Sequence, residues 1–238
     1  MCSCRDRIFS VGQQSGAGSQ QQESISALDQ PDVKSRSSKS SSDQKQGSSQ
    51  ASPTTAQKQV PKSQNELYFA NLLQQRIVFV KGKVEDAMAN DVVQQLLYLN
   101  AQSSTEPIHM YITSSGGKVY AGLGIYDVMQ HIDAPVHTFC VGHAESMGAI
   151  LLAGGAAGHR FAFKNARLMI HEPSHVFSGK TSNVVIHAAK AEQTKETLVS
   201  ILSIHTGKTA EEVEVAGRED YYMSPEEAKA FGIIDEVL

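Results

Sequence analysis

Cysteine is scarce in this chain of 238 residues. Three cysteines, Cys2 and Cys4 in the Ser- and Gln-rich start and Cys140 in an expected core strand, do not make a disulfide framework or a zinc quartet, which suits an intracellular compartment. The longest apolar run, MGAILLAGGAAG (147–158), is too short and too glycine-rich to span a bilayer. Basic residues are scattered and the formal net charge is -4, so neither nucleic acid nor an anionic membrane is expected as a partner. No G-x-x-x-x-G-K-[ST] loop is present to cradle a nucleotide's phosphates. Aromatics are almost missing from the first 63 residues, where Phe9 stands alone among Ser and Gln. Such a composition buries too little apolar area to offset its ordering entropy, so residues 1–63 are expected to be a disordered extension. The extension lacks the continuous apolar segment of a secretory signal, while its serines and few early acids weakly resemble a transit peptide. A cytoplasmic location is expected, with a plastid or mitochondrion as the alternative.

What is there is concentrated in residues 64–238, rich in Val, Ile, Leu, Ala and Gly and sized for one domain. The β-branched runs RIVFV (76–80), IHMYIT (108–113) and PVHTFCV (135–141) read as buried strands. Between them, EDAMANDVVQQLLYLN and KVYAGLGIYDVMQHI repeat apolar residues at helical spacing, as in Val92, Leu96 and Leu99. This alternation predicts an α/β fold with successive crossovers and a largely parallel sheet. RLMIHEP (167–173) adds a strand, and a long helix is expected from Thr181 to about Ile204. In SPEEAKAFG, Ser224 is the N-cap, Pro225 the first helical residue, Glu227 the partner in a capping box and Gly232 the stop, and a closing strand is read in IIDEV.

GHAESMGAI places Ser146 between a strand and a helix, at the sheet edge where ligand sites collect. Amides at a helix start stabilise a developing oxyanion, and the pattern approaches a G-x-S-x-G elbow with Ala144 in place of the first glycine. A serine there is more often a plain cap. A second turn, ITSSGGKVYAG, brings Gly116 and Gly117 between another strand and helix, where glycine permits the close backbone approach that an oxyanion needs. A nucleophile also needs a base, and all nine histidines lie beyond residue 100. His137 and His109 belong to strands and His187 and His205 to the long helix, leaving His171 as the one at a strand end facing Ser146. GREDYYMS offers Asp220, before an aromatic pair expected to be packed, as the acid that holds the imidazole; spacing does not separate it from Glu219 or Asp235.

Taken together, RIVFVKGKVED, SSGGKVYAGLGIYDVMQ, GHAESMGA, MIHEP and HTGKTAEEVEVAGREDYYMSPEEAKAFGIID resemble, in order, the proteolytic subunit of the Clp protease family. The resemblance implies the crotonase-like fold of repeated β-β-α and βα units with a protruding handle helix after Lys180. It also implies Ser146 as nucleophile, His171 as general base, Asp220 as its orienting acid, and the amides of Gly117 and Met147 as oxyanion hole. No metal or organic cofactor is implied; the activity would be that of a serine endopeptidase degrading unfolded proteins to short peptides. Two stacked seven-membered rings would enclose the sites, fed by an AAA+ unfoldase that spends the ATP. Several positions depart from the family: SSGG replaces Ser-Pro-Gly-Gly, Glu145 stands before the serine, Ser174 and His175 replace a glycine pair, and Glu219 replaces an arginine. A scaffold subunit of a mixed ring and a crotonase-type acyl-CoA enzyme are the rival readings.

Overall fold

The computed structural model describes residues 64–174 and 179–238, so the expected disordered extension over 1–63 and the His175 departure lie outside the described residues. Described elements run α1 (Gln64–Gln74), β1 (Ile77–Lys81), α2 (Asp86–Gln102), β2 (Ile108–Ser114), α3 (Val119–His131), β3 (Val136–Glu145) and α4 (Met147–Ala153). They continue as β4 (Arg160–Ala162), β5 (Arg167–Ile170), α5 (Thr181–Thr206), α6 (Ala210–Gly217), β6 (Tyr221–Met223), α7 (Pro225–Phe231) and β7 (Glu236–Val237). The α/β expectation holds, with one qualification: strands β1, β2, β3, β4 and β7 pair in parallel order, β5 also pairs β3 in parallel, and β6 adds antiparallel to β5.

Side-chain alternation explains the two layers. In β2 every second residue, Ile108, Met110, Ile112 and Ser114, is fully buried, and the three apolar ones join one core with residues of α2, α3 and α4. The stripe Val92, Leu96 and Leu99 lies in this core at 1% exposure or less, and every residue of α4 is buried. On the other face the register aligns Phe79, Tyr111, Phe139 and Phe161 into a row with ring centroids 5.8, 4.8 and 4.9 Å apart. A parallel row holds His109, His137 and His159, spaced 5.5 and 4.0 Å.

Arg76 joins helix to sheet. At φ +60 it turns the chain into β1, and its guanidinium donates to the carbonyls of Pro107, Leu99, Ser103 and Glu106, which include the C-cap carbonyl of α2 at Ser103. The capping box at Ser224 and Glu227, Pro225 at the first position and Gly232 in the left-handed conformation all stand as the sequence indicates. The long helix α5 buries only Thr194, Leu198, Ile201 and Leu202, so its first half projects from the core.

Three expectations need correction. The third strand does not stop at Val141 but continues to Glu145. Only Glu236 and Val237 of IIDEV pair as a strand, because Ile233 and Ile234 are buried in the turn that precedes it. Tyr221 and Tyr222 are not buried: as β6 they are 39% and 57% exposed, with Tyr221 touching only the Phe231 ring of α7, 6.0 Å between centroids, among the described aromatic rings.

Candidate active site

The continuation of β3 delivers Ser146. Ile112 pairs with Cys140 but Ser114 with Ala144, so β3 carries extra residues around Gly142, which sits at φ +75. Past this bulge β3 leaves β4 and takes β5 as neighbour, matching Ala144 with Leu168 and Glu145 with Met169. The Ser146 amide then donates to the Met169 carbonyl at 2.8 Å.

Ser146 answers two demands at once. Its carbonyl accepts the amides of Ala149 and Ile150, which makes it the first residue of α4's hydrogen-bond ladder, yet its side chain caps nothing. At φ 53 and ψ -121 its backbone is in a region that L-residues rarely occupy. Holding it there costs about 1–3 kcal/mol, and such strain persists where the surroundings over-determine the conformation. The hydroxyl it turns out meets His171 Nε2 at 3.0 Å.

His171 and Asp220 are neighbours by register. Strands β5 and β6 pair antiparallel through Ile170 and Tyr221, so the next positions, His171 and Asp220, leave the ladder side by side. His171 Nδ1 and Asp220 Oδ1 are 2.8 Å apart. A carboxylate only accepts, so Nδ1 carries the proton and Nε2 is free to accept from the Ser146 hydroxyl. The three alternatives for the acid are thereby separated: Asp235 is bound to Arg160 at 2.6 and 2.8 Å, and Glu219 has no ion-pair partner among the described residues. Asp220 remains open to solvent, with 57% of its side chain exposed against 28% for His171.

The glycine turn abuts the serine. Gly116 sits at φ +81, and a Cβ on it would fall 2.7 Å from Ser146 Cβ and 2.9 Å from the Met147 nitrogen. Gly117 bridges Val84, whose amide donates to the Gly116 carbonyl while Lys118 donates back to Val84. Among the described residues the Gly117 and Met147 amides have no acceptor of their own. Ser114, which sequence reasoning passed over, anchors this turn: its buried hydroxyl donates to the Gly82 carbonyl at 2.6 Å and accepts from the Gly116 amide at 3.1 Å. Nothing in the TSSGG stretch distinguishes its first serine from its second, so this role becomes visible only once β1 and β2 are paired.

Beside Ser146, Gly117 and His171 a cleft opens, walled by Ile150, Ile170, Leu198, Leu202 and Val213. Of the other described histidines none lines it: His137 stacks on His159, and His205 bonds the Tyr126 hydroxyl at 2.8 Å. Glu145 is half-buried and makes no ion pair among the described residues. No group of acids, histidines or cysteines among the described residues is arranged to hold a metal ion.

Such an arrangement can pass a proton from hydroxyl to imidazole, and Gly117 and Met147 line the same cleft as Ser146. The model of the Clp protease family, described as Clp protease, matches residues 61–238. That span takes in every element from α1 to β7, and the chain accordingly belongs to the Clp protease family.

Proposed function

We propose that this protein is a serine endopeptidase, the proteolytic subunit of an ATP-dependent protease that degrades unfolded proteins to short peptides. The observation that carries this is the unbroken hydrogen-bond line from Ser146 Oγ through His171 to Asp220, at 3.0 and 2.8 Å. Ser146 attacks the peptide carbonyl as His171 Nε2 takes its proton, and Asp220 stabilises the imidazolium that results. The amides of Gly117 and Met147 hold the oxyanion. Collapse of the tetrahedral species breaks the C–N bond, with the His171 proton going to the departing amine. Water, deprotonated by the same imidazole, then releases the acyl group and restores Ser146.

No metal or organic cofactor enters these steps. ATP chemistry belongs to a partner AAA+ unfoldase, and the chain works inside two stacked seven-membered rings. Exposed Asp220, and a Glu219 without an ion-pair partner among the described residues, favour a variant of this reading, a ring mixed with or docked on a sister subunit that brings a complementary cation to Glu219.

Peptide cleavage by the purified full chain tests the assignment. Ser146→Ala abolishes turnover of a fluorogenic peptide while the assembled mass stays unchanged, and His171→Ala loses nearly as much because triad members act as a unit. Near-normal turnover by either variant, free of wild-type protein, contradicts the proposal.

A further inference from the structure

The cleft beside Ser146 combines an apolar wall with a charged rim. Ile150, Ile170, Leu198, Leu202 and Val213 form the wall, each at 8% exposure or less. Glu172, Glu214 and Lys195 are the charged groups at its edge other than His171. Glu172 follows His171 directly, and its amide is tied to the Gly217 carbonyl at 2.7 Å, which fixes this carboxylate's backbone against the end of α6.

Lys195 reaches the cleft from α5, three residues before Leu198. Its Nζ stands 3.6 Å from Glu172 and 3.7 Å from Glu192, with 27% of the side chain exposed. Both distances are too long for a hydrogen bond, and among the described residues the ammonium makes none. Two carboxylates, Glu172 and Glu192, thus pair with this one cation, and a third, Glu214, lines the same cleft. Beyond His171 the neighbouring groups are Arg218, Glu219 and Asp220.

An apolar wall with an acidic rim, left to itself, suits a substrate lysine or arginine: the methylene stem lies along the wall and the charged head reaches the carboxylates. Lys195 occupies the place that such a head would take. We infer that Lys195 is a specificity-determining residue, whose ammonium cancels the rim carboxylates so that the cleft admits an apolar substrate side chain and turns away a basic one. The inference rests on the serine endopeptidase reading and concerns the substrate residue that enters the cleft. Rejection by like charge is the repulsive half of the selectivity, and the wall is the attractive half.

Two fluorogenic peptides, identical except for Leu or Lys before the scissile bond, test this on the assembled full chain. Wild type is expected to favour Leu, and Lys195→Met, which keeps the length and removes the charge, to raise the Lys-to-Leu ratio of kcat/KM by about tenfold or more. Lys195→Arg keeps the wild-type ratio, and adding Glu172→Gln to Lys195→Met draws the ratio back toward it. Lys195→Gln serves the same comparison if the Met variant fails to assemble. A ratio unchanged within about twofold in the uncharged variants, or an equal shift in Lys195→Arg, overturns the inference while the peptidase reading stands. A wild-type chain that cleaves neither peptide and whose Ser146 resists a fluorophosphonate overturns both.

Discussion

Ser146 is where the local rules of the chain conflict. A serine at a helix start satisfies an orphan amide with its side chain, but here the hydroxyl turns to His171 and the backbone sits at φ 53. The glycine turn makes that posture possible, because any side chain at position 116 would collide with Ser146 Cβ and the Met147 amide. Gly116→Ala should therefore lower kcat for peptide cleavage by about 10²–10³, the loss that goes with one misplaced oxyanion donor, with a smaller change in KM. Steady-state kinetics on the assembled variant check this, and an unchanged kcat would mean that the turn does not shape the site. Of these residues, Ser146 and His171 were legible in the sequence, since each ends a strand signal beside a turn. Asp220 was not legible from spacing, because the β5–β6 register that lays it against His171 involves a three-residue strand too short to show a period.

At the scale of elements, periodicity gave strong guidance where a helix or strand buries one complete face. Helix α2 shows its Val92, Leu96 and Leu99 stripe in the sequence and in the core alike. Strands β4 and β6 escaped notice because each has three residues, and the end of β3 was misjudged because Gly142 reads as a stop while the bulge lets pairing resume. Helix α6, with its Thr209 and Glu212 capping box, carried a readable start signal in TAEE that its short length obscured.

Two histidines attach these elements to pH. Burial, followed by the nearby His159 and His109, pushes His137 down to about 4, and burial with Arg160 pushes His205 down to about 4. Both are bases whose neutral form the fold prefers. Above pH 6.5 they leave stability untouched; as pH falls from 6.5 toward 4, the unfolded chain takes up protons that the fold refuses, and stability declines. The thermal midpoint should drop over that window, and His137→Gln should flatten part of the drop. A midpoint level from pH 7 to about 4.5 would contradict this linkage.

For the whole molecule, the family match over residues 61–238 takes in every described element. Residues 1–63 hold one aromatic and few large apolar side chains, so their removal should leave the thermal midpoint and the far-UV circular dichroism per residue of the domain unchanged. A drop of several degrees would assign them a docking role. The central claim is that Ser146 is a nucleophile activated by His171, and labelling with a fluorophosphonate followed by peptide mass mapping tests it most directly. A single adduct on Ser146 in the full chain, lost in His171→Ala, is the expected result; no adduct, or an adduct on another serine, would contradict it.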